Sequence, residues 1–340
     1  MIIVNADYEV ITENDPLKKI ERIARVCYKS EDKITDGSDI KMVRSLIDRK
    51  HTAMLEHANI IIEVPKSIYV KVHEWVSTVI ESQEMWLEES RYIDIKNRIY
   101  LRFTKHEKEL CTRYLISGNI RAWYDYFRMV YSDKINDELY VTVNEHIQNV
   151  FNIFDMHLLD MPKKRRCRII TDITELSSDE RMVHEDISIR FTVDRGITHE
   201  LVRMREASFA QESTRYCNYA NNKFGRNITF IEPCFWNNEK MPHKYDIWKT
   251  ACENAEKSYF DLIDSGAQPQ EARDVLLTSV KSEIVVTANL IEWHHILALR
   301  ACDSTGPAHP QMHEIMIPVL CRLKYTHPFA FGGLVPKTAI

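Results

Sequence analysis

The chain has 340 residues, of which 44% are hydrophobic and 28% charged, so it can bury a large core in one large domain or in two. Its 8 glycines and 11 prolines are too few to suggest long flexible linkers. The formal net charge of -5 argues against broad nucleic-acid binding, which needs an excess of cations, so we expect no nucleic-acid partner and only local recognition of phosphate.

The eight cysteines are scattered and form no C-x-x-C pair, so we expect no disulfide framework and a reducing, cytoplasmic location. The first residues, Met1 to Asp7, lack the basic and apolar regions of a signal peptide. No apolar run is long enough to cross a bilayer, so no membrane partner is expected.

Hydrophobic spacing predicts two series of elements along the chain. The first consists of strands over 2–4 and 59–64, helices over 15–27, 39–50, 67–81 and 120–131, and a hairpin over 91–104. The second consists of strands over 187–193 and 283–288, a helix that opens over 196–205, and helices over 246–265, 269–277, 290–300 and 310–323.

The two series resemble each other. Residues 59–72 align with residues 188–201 without a gap, the segment 89–92 resembles 212–216, and 119–123 resembles 289–293. Three similarities in the same order indicate an ancient internal duplication. We therefore predict an α+β fold with a mixed or antiparallel sheet flanked by helices and two related halves: an N-terminal half over 1–160, a basic linker over 161–184 and a C-terminal half over 185–340.

The linker contains a basic run over 162–168, for which a localisation or nucleic-acid patch is one interpretation. A solvated connector or a sheet edge fits the acidic chain better.

The most informative stretch runs from Arg203 to Tyr216 and holds three arginines and two serines. Guanidinium groups are planar, permanent donors that suit phosphate and carboxylate oxygens. Hydroxyl groups and a side-chain amide between them can orient a polar ring. This composition predicts a nucleotide-phosphate site in the C-terminal half.

The same stretch resembles the signature R-H-R-x-x-S-x-x-x-x-S-x-R-Y of the flavin-dependent thymidylate synthases. The matching residues are Arg203, Arg205, Ser208, Ser213, Arg215 and Tyr216. Further segments resemble the family at 24–27, 51–57, 272–276, 287–289 and 297–300. The resemblance covers most of the chain except about 66–184, which is either an insertion or the remainder of a first copy.

Several positions depart from the family pattern. The expected residues are replaced by Cys27, Ala53, Met204, Gln211 and Ile291. Conversely, Arg121 stands in the first half where Ile291 stands in the second, while Glu74-Trp75-Val76 lies opposite the two arginines of the signature. The two halves thus carry complementary parts of the pattern.

The resemblance implies transfer of a one-carbon unit from 5,10-methylenetetrahydrofolate to C5 of dUMP, giving dTMP, with FAD as redox cofactor and NADPH as reductant. It also implies a homo-oligomer, either a dimer of duplicated chains or a tetramer, whose sites lie at subunit junctions. No protein nucleophile is needed, because the flavin carries the difficult redox step.

The resemblance also assigns roles to residues, with no metal among them. Catalytic candidates are Arg300, Ser213 and Arg203. Substrate-binding candidates are Glu200, Gln211, Ser213, Arg215, Arg273 and Arg300. Flavin-binding candidates are Cys27, Glu56, His57, Asn119, Arg121, Arg203, Arg205, Asn289 and His295.

Other interpretations stay open at this point. Met204, Gln211 and Ile291 allow a related reaction on another pyrimidine nucleotide, such as dCMP, or a hydroxymethylation. They also allow a catalytically silent nucleotide- or flavin-binding homologue. At single residues, Asn289 could simply cap a helix, Arg215-Tyr216 could be a surface pair, and Ser213 could be a nucleophile. The histidines at 51, 57, 294 and 295 match no compact zinc motif.

Overall fold

The structure is a computed structural model that describes residues 1–86, 101–107, 112–215, 217–221, 225–236 and 241–337. Its strands, in chain order, are β1 (Ile2–Val4), β2 (Asp7–Ile11), β3 (Asn59–Glu63), β4 (Arg102–Glu107), β5 (Thr112–Asn119), β6 (Arg168–Ile169), β7 (Asp186–Asp194), β8 (Ser208–Gln211), β9 (Thr229–Ile231) and β10 (Lys281–Asn289).

The helices follow the same order. They are α1 (Pro16–Tyr28), α2 (Ser38–Asp48), α3 (Lys66–Trp86), α4 (Ile120–Met129), α5 (Lys134–His146), α6 (Ser178–His184), α7 (Arg195–Leu201), α8 (Pro242–Asp264), α9 (Pro269–Ala272), α10 (Leu290–Arg300), α11 (Pro310–Thr326) and α12 (Pro328–Phe331). None of those described is both long and apolar enough to cross a membrane.

The chain divides into two compact units, each built from separate segments of sequence. The first unit comprises residues 1–12, 22–33 and 187–340, and the second comprises 13–21 and 34–186. The unit that contains most of the second series therefore begins with the N-terminal strands β1 and β2.

The first unit holds a four-stranded sheet with the order β2-β7-β10-β8. Strand β2 pairs antiparallel with β7, and β8 pairs antiparallel with β10. A separate parallel pair joins β1 to β9. Behind β9, Phe230 packs with Trp248 and Tyr259 of α8 in a buried aromatic cluster.

The second unit repeats this plan with the order β4-β5-β3-β6, in which β3 pairs antiparallel with β5 and β6, and β4 pairs antiparallel with β5. Its core is aromatic: Trp123, Tyr126, Phe127 and Tyr140 are at most 1% exposed. The mixture of helices with largely antiparallel sheets confirms the predicted α+β class.

The two units share local detail at the end of their long strands. Asn119 ends β5 and accepts a hydrogen bond from the Ala122 amide at 2.8 Å, while Asn289 ends β10 and accepts one from the Glu292 amide at 2.9 Å. Four residues later a buried tryptophan donates to a strand carbonyl: Trp123 to Ile60 at 3.5 Å and Trp293 to Ile187 at 2.9 Å. The similarity between 119–123 and 289–293 is therefore also structural.

The two sheets exchange their outer strands. Strand β2, near the start of the chain, completes the sheet of the first unit against β7. Strand β6, which follows the N-terminal series, completes the sheet of the second unit against β3.

Three arginines of the basic run form ion pairs although they remain exposed. Arg165 pairs with Glu145, Arg166 with the fully buried Glu138 at 2.9 Å, and Arg168 with Glu63 at 2.6 Å and Glu175 at 2.7 Å. Arg168 also begins β6 at a sheet edge.

Some predicted elements were wrong. Helix α7 ends at Leu201 and not near 205, and the helix predicted over 269–277 is the four-residue α9 followed by one 3₁₀ turn. The hairpin predicted over 91–104 falls mostly outside the described residues, and the hairpin that is described joins β4 to β5. The sequence did not predict eight of the described elements, which are strands β2, β5, β6, β8 and β9 and helices α5, α6 and α12.

Candidate functional site

The first arginines of the signature follow the end of α7. This helix begins at Asp194, whose carboxylate caps it by accepting from the Ile197 amide at 2.9 Å. After it ends, Met204 is only 7% exposed, whereas Arg203 and Arg205 are exposed. The two arginines of the signature therefore lie at the surface of the first unit, on either side of a buried methionine.

The next part of the signature, β8 and the residues after it, alternates between the interior and the surface. Glu212 and Thr214 are buried, Gln211 and Ser213 are half-buried, and Arg215 is exposed. The Glu212 amide donates to the Glu283 carbonyl at 2.8 Å, and the Ser213 amide donates to the Cys27 carbonyl at 3.2 Å. The backbone of this segment is therefore hydrogen-bonded both to β10 and to the end of α1.

Buried charges lie beneath this segment. The Glu212 carboxylate is 3.0 Å from the Lys281 ammonium and 3.6 Å from that of Lys29. Glu283 pairs with the same two lysines and with Arg190. Burial alone would raise the pKa of Glu283, but the two ammonium groups lower it to about 2. Sequence reasoning missed this cluster, which we call the lysine-glutamate cluster (Lys29, Arg190, Glu212, Lys281 and Glu283).

One predicted substrate-binding arginine, Arg273, contacts the signature. The Arg273 guanidinium lies 3.5 Å from the Thr214 hydroxyl, between Ser213 and Arg215 in sequence. The Ser213 hydroxyl accepts from the Arg215 amide at 3.3 Å. The fold therefore brings Arg273 to the segment that carries Ser213 and Arg215, while Tyr216 lies outside the described residues.

Helix α7 also contacts two predicted substrate-binding residues. The Gln211 amide nitrogen is 2.8 Å from the Thr198 hydroxyl and 3.2 Å from that of Ser282. Two residues after Thr198, the Glu200 carboxylate pairs with Arg300 at 3.7 Å. The Nε of Arg300 is buried and has no hydrogen-bond partner within the described part of the chain. Gln211 and Arg300 are thus anchored on one short helix.

Three predicted flavin-binding residues of the first unit have clear local surroundings. Asn289 caps α10, so the capping role considered from the sequence is present in the structure. His295 is exposed on α10. The Cys27 thiol is buried, and burial together with the neighbouring Cys217 raises its pKa to about 12. Cys27 is therefore a neutral, packed side chain.

The other predicted flavin-binding residues belong to the second unit. Arg121 pairs with Glu56 and lies 3.5 Å from Asp125. Asn119 caps α4, and His57 is completely buried. These residues form a group of their own at the end of β5 and the turn before β3.

No group of three or more histidine, cysteine, aspartate or glutamate side chains in the described ranges could hold a metal ion. Among the four histidines considered from the sequence, His294 stacks on Phe331 with ring centroids 6.5 Å apart.

The family model of the thymidylate synthase complementing protein matches the chain twice, over residues 9–158 and 155–329. The first match includes residues 66–158, so most of the stretch 66–184 is also similar to the family. Two matches in series fit the two related halves predicted from the sequence.

Similar proteins are named flavin-dependent thymidylate synthase. The protein of Thermococcus onnurineus is 37% identical over 106 residues, which cover 31% of this chain and 42% of the relative. That of Pyrococcus abyssi is 35% identical over 122 residues, covering 35% and 48%. That of Geobacter sulfurreducens is 29% identical over 164 residues, covering 47% and 67%. The chain thus spans about half the length of the first two relatives.

Two solved structures are also similar. A UMP/dUMP methylase, PolB from Streptomyces cacaoi bound with 5-Br dUMP, has a TM-score of 0.39 and 15% identity, covering 99% of this chain and 100% of the other. The thymidylate synthase ThyX from Helicobacter pylori, complexed with FAD and dUMP, has a TM-score of 0.35 and 18% identity, covering 48% and 79%.

Proposed function

The chain belongs to the thymidylate synthase complementing protein family, and from this premise we propose that it methylates C5 of dUMP to give dTMP with a bound flavin. The carbon would come from 5,10-methylenetetrahydrofolate. Conversion of a methylene to a methyl group needs two electrons, which FAD would supply after reduction by NADPH.

The observation that carries the proposal is the meeting of Arg273 with the signature at Thr214. Arg273 thus lies beside the segment that carries Arg215 and the hydroxyl groups of Ser213 and Thr214. Arginine suits phosphate because its planar group donates two parallel hydrogen bonds and keeps its charge. We assign this group of residues to the phosphate of dUMP.

Arg300 is assigned to the pyrimidine ring. Negative charge on the ring makes C5 a better nucleophile toward the incoming carbon, and a fixed guanidinium stabilises that charge. The ion pair with Glu200 at 3.7 Å would hold Arg300 in place, and its buried Nε has no hydrogen-bond partner among the described residues. A ligand oxygen would satisfy that donor.

Thiol nucleophiles are not part of the proposal. Burial raises the pKa of Cys27 to about 12 and that of Cys217 to about 11. Both thiols lie near the signature and stay protonated at neutral pH, so neither is activated to attack the pyrimidine.

The donor set of the chain fits a flavin dinucleotide. Arg203 and Arg205 are exposed cations that suit its pyrophosphate, and Cys27, Asn289 and His295 belong to the same unit. In the second unit Glu56, His57, Asn119 and Arg121 are the candidates, with Glu56 orienting the Arg121 guanidinium. The flavin, when bound, would supply the hydride, while these residues bind and orient it.

We further propose that the two halves of the chain carry different sets of ligand-binding residues. Ile291 is 49% exposed where the first copy has the ion-paired Arg121. Conversely, Glu74, Trp75 and Val76 belong to the continuous helix α3 where the second copy has its arginine loop. Each chain would therefore supply one nucleotide-binding set and one flavin-binding set to a homo-oligomer. A flavin titration should give one FAD per chain, whereas two per chain would contradict this division.

The activity test is release of tritium from [5-³H]dUMP with methylenetetrahydrofolate, FAD and NADPH. Arg215→Ala should weaken dUMP binding by about 1.5–3 kcal/mol, the value of a charge-assisted hydrogen bond. Arg322→Ala, on the exposed side of α11, is the matched control and should bind like the wild type. Absence of tritium release, together with failure of NADPH to bleach a bound flavin, would refute the proposed function.

A further inference from the structure

The first unit contains a cavity whose lining includes none of the residues assigned above to the nucleotide or the flavin. The turn after β9, the loop between α10 and α11, and the first turns of α11 form its walls. Its volume is about 800 Å³, which is within the range of small-molecule sites. Phe235, Ile317 and three prolines make much of the wall apolar, so the cavity suits a ligand with a carbon skeleton.

A buried carboxylate, that of Asp303, borders this cavity. Its Oδ1 accepts from the Ala308 amide at 3.0 Å and lies 2.7 Å from Nε2 of His313, and the side chain is only 9% exposed. Its Oδ2 is buried and has no hydrogen-bond partner among the described residues. The Lys337 ammonium lies 3.8 Å from that oxygen, which is beyond hydrogen-bond distance. One oxygen of a fixed carboxylate thus remains available to a donor.

A second carboxylate, that of Glu314, borders the same cavity. Its Oε2 is also buried without a hydrogen-bond partner in the described part of the chain. Burial raises the pKa of Glu314, and repulsion from Asp194 and Glu232 raises it further. A ligand that brings both N–H donors and positive charge would satisfy the two oxygens and offset this repulsion.

A bare metal ion does not meet these requirements. The described ranges contain no group of three or more histidine, cysteine, aspartate or glutamate side chains that could hold one. Amidinium and guanidinium groups are planar cations with several N–H donors, so one such group can donate to two carboxylates at once. An apolar body attached to it would pack against the apolar part of the wall.

We propose that this cavity binds an organic cation, namely an amidinium or guanidinium group on an apolar body. Asp303 and Glu314 accept hydrogen bonds from the cationic group, while Phe235 and Ile317 contact the body. Lys337 opposes binding, because its ammonium competes for the Asp303 carboxylate. This site is separate from the one that carries the proposed function and does not depend on it.

The test uses benzamidine, a phenyl ring with an amidinium group, and calorimetry on the full chain. Benzamide has nearly the same shape but no charge, so it should bind the wild type at least about tenfold more weakly, the effect of losing a charge-assisted hydrogen bond. Saturating dUMP should leave the affinity for benzamidine unchanged. Displacement of benzamidine by dUMP would place the cation in the nucleotide site and overturn the proposal.

Three variants test the residues assigned to the cavity. Asp303→Asn keeps an acceptor for the Ala308 amide and tolerates the positive φ of 57° at this position. Both Asp303→Asn and Glu314→Gln should weaken benzamidine about tenfold. Lys337→Met removes the competing cation and should strengthen it by about two- to fivefold.

The matched control is Glu253→Gln, on the exposed side of α8, which should bind benzamidine like the wild type. Absence of saturable binding to the wild type, equal affinity for benzamide, or unchanged affinity in both carboxylate variants would overturn the proposal. If circular dichroism shows that the carboxylate variants do not fold, Lys337→Met decides, because an unchanged or weaker affinity in that variant would contradict the assigned role of Asp303.

Discussion

The lysine-glutamate cluster gives the most direct test of how the signature is held. Lys281 lies 3.0 Å from Glu212 and 2.8 Å from Glu283, which are 3% and 7% exposed. Lys281→Met keeps the length of the side chain and removes the charge between these carboxylates. Lys29 and Arg190 remain in the variant, so part of the positive charge that balances the two carboxylates is kept.

Removing one partner of a buried ion pair costs about 3–5 kcal/mol, and the remaining cations favour the lower end. The pKa of Glu283 falls from 4.5 to about 2 in the folded state, where both Lys281 and Lys29 oppose the effect of burial. Lys281 therefore accounts for only part of this lowering of the pKa.

The contribution of Glu283 to the stability of the folded state decreases as the pH falls. Because the folded pKa of Glu283 lies below its unfolded value, its contribution is complete above pH 4.5 and disappears as the pH falls toward 2. Without Lys281 that pKa should return toward 4.5. The loss of stability between pH 4.5 and 2 should therefore be smaller in Lys281→Met than in the wild type.

Urea titrations at pH 7 and at several acidic values measure both effects. Lys249→Met, on an exposed position of α8, is the matched control and should change stability by less than about 0.5 kcal/mol. A loss below about 1 kcal/mol for Lys281→Met, with an unchanged acid profile, would refute the view that this cluster anchors the signature.

Three further predictions concern stability. Trp293→Phe removes the bond to the Ile187 carbonyl and should cost about 0.5–1.5 kcal/mol in urea; no loss would mean that this bond is not made. Asn119→Ala removes the cap at the Ala122 amide and should cost about 1 kcal/mol, whereas Asn119→Asp should keep most of it. Burial, with repulsion from nearby guanidinium groups, lowers the pKa of His184 to about 3, so the unfolded chain takes up a proton first as the pH falls below 6.5. The wild type should thus lose about 2 kcal/mol between pH 7 and 5, and His184→Gln should lack this part of the slope; equal slopes would argue against a neutral, buried histidine.

The sequence predicts the helices and strands whose hydrophobic residues recur with one clear spacing. Residues 59–64 are a β-branched run, and β3 occupies Asn59–Glu63; residues 290–300 have helical spacing, and α10 occupies the same range. Strand β2 was missed because its five residues place acidic side chains on the exposed face and leave only one buried position. Strand β8 was missed because it lies within the signature, where serine and glutamine replace the usual apolar alternation.

The residues of the candidate site were also only partly predictable from the sequence. The resemblance singled out Arg215 in the signature and Arg273 in the separate segment 272–276, and the fold brings Arg273 to Thr214, next to Arg215. Neither Lys29 nor Lys281 carries a local signal, because each is recognisable only by its contact with Glu212, far away in sequence. The contact between the Gln211 amide and the Thr198 hydroxyl likewise joins β8 to α7 through folding, and no spacing rule reveals it.

Strands β2 and β6 limit where the chain could be divided into two polypeptides. A break between the copies would remove from each sheet a strand that the other polypeptide encodes, and the open sheet edge left behind is prone to aggregation. Each half of the sequence therefore depends on the other half for a complete sheet.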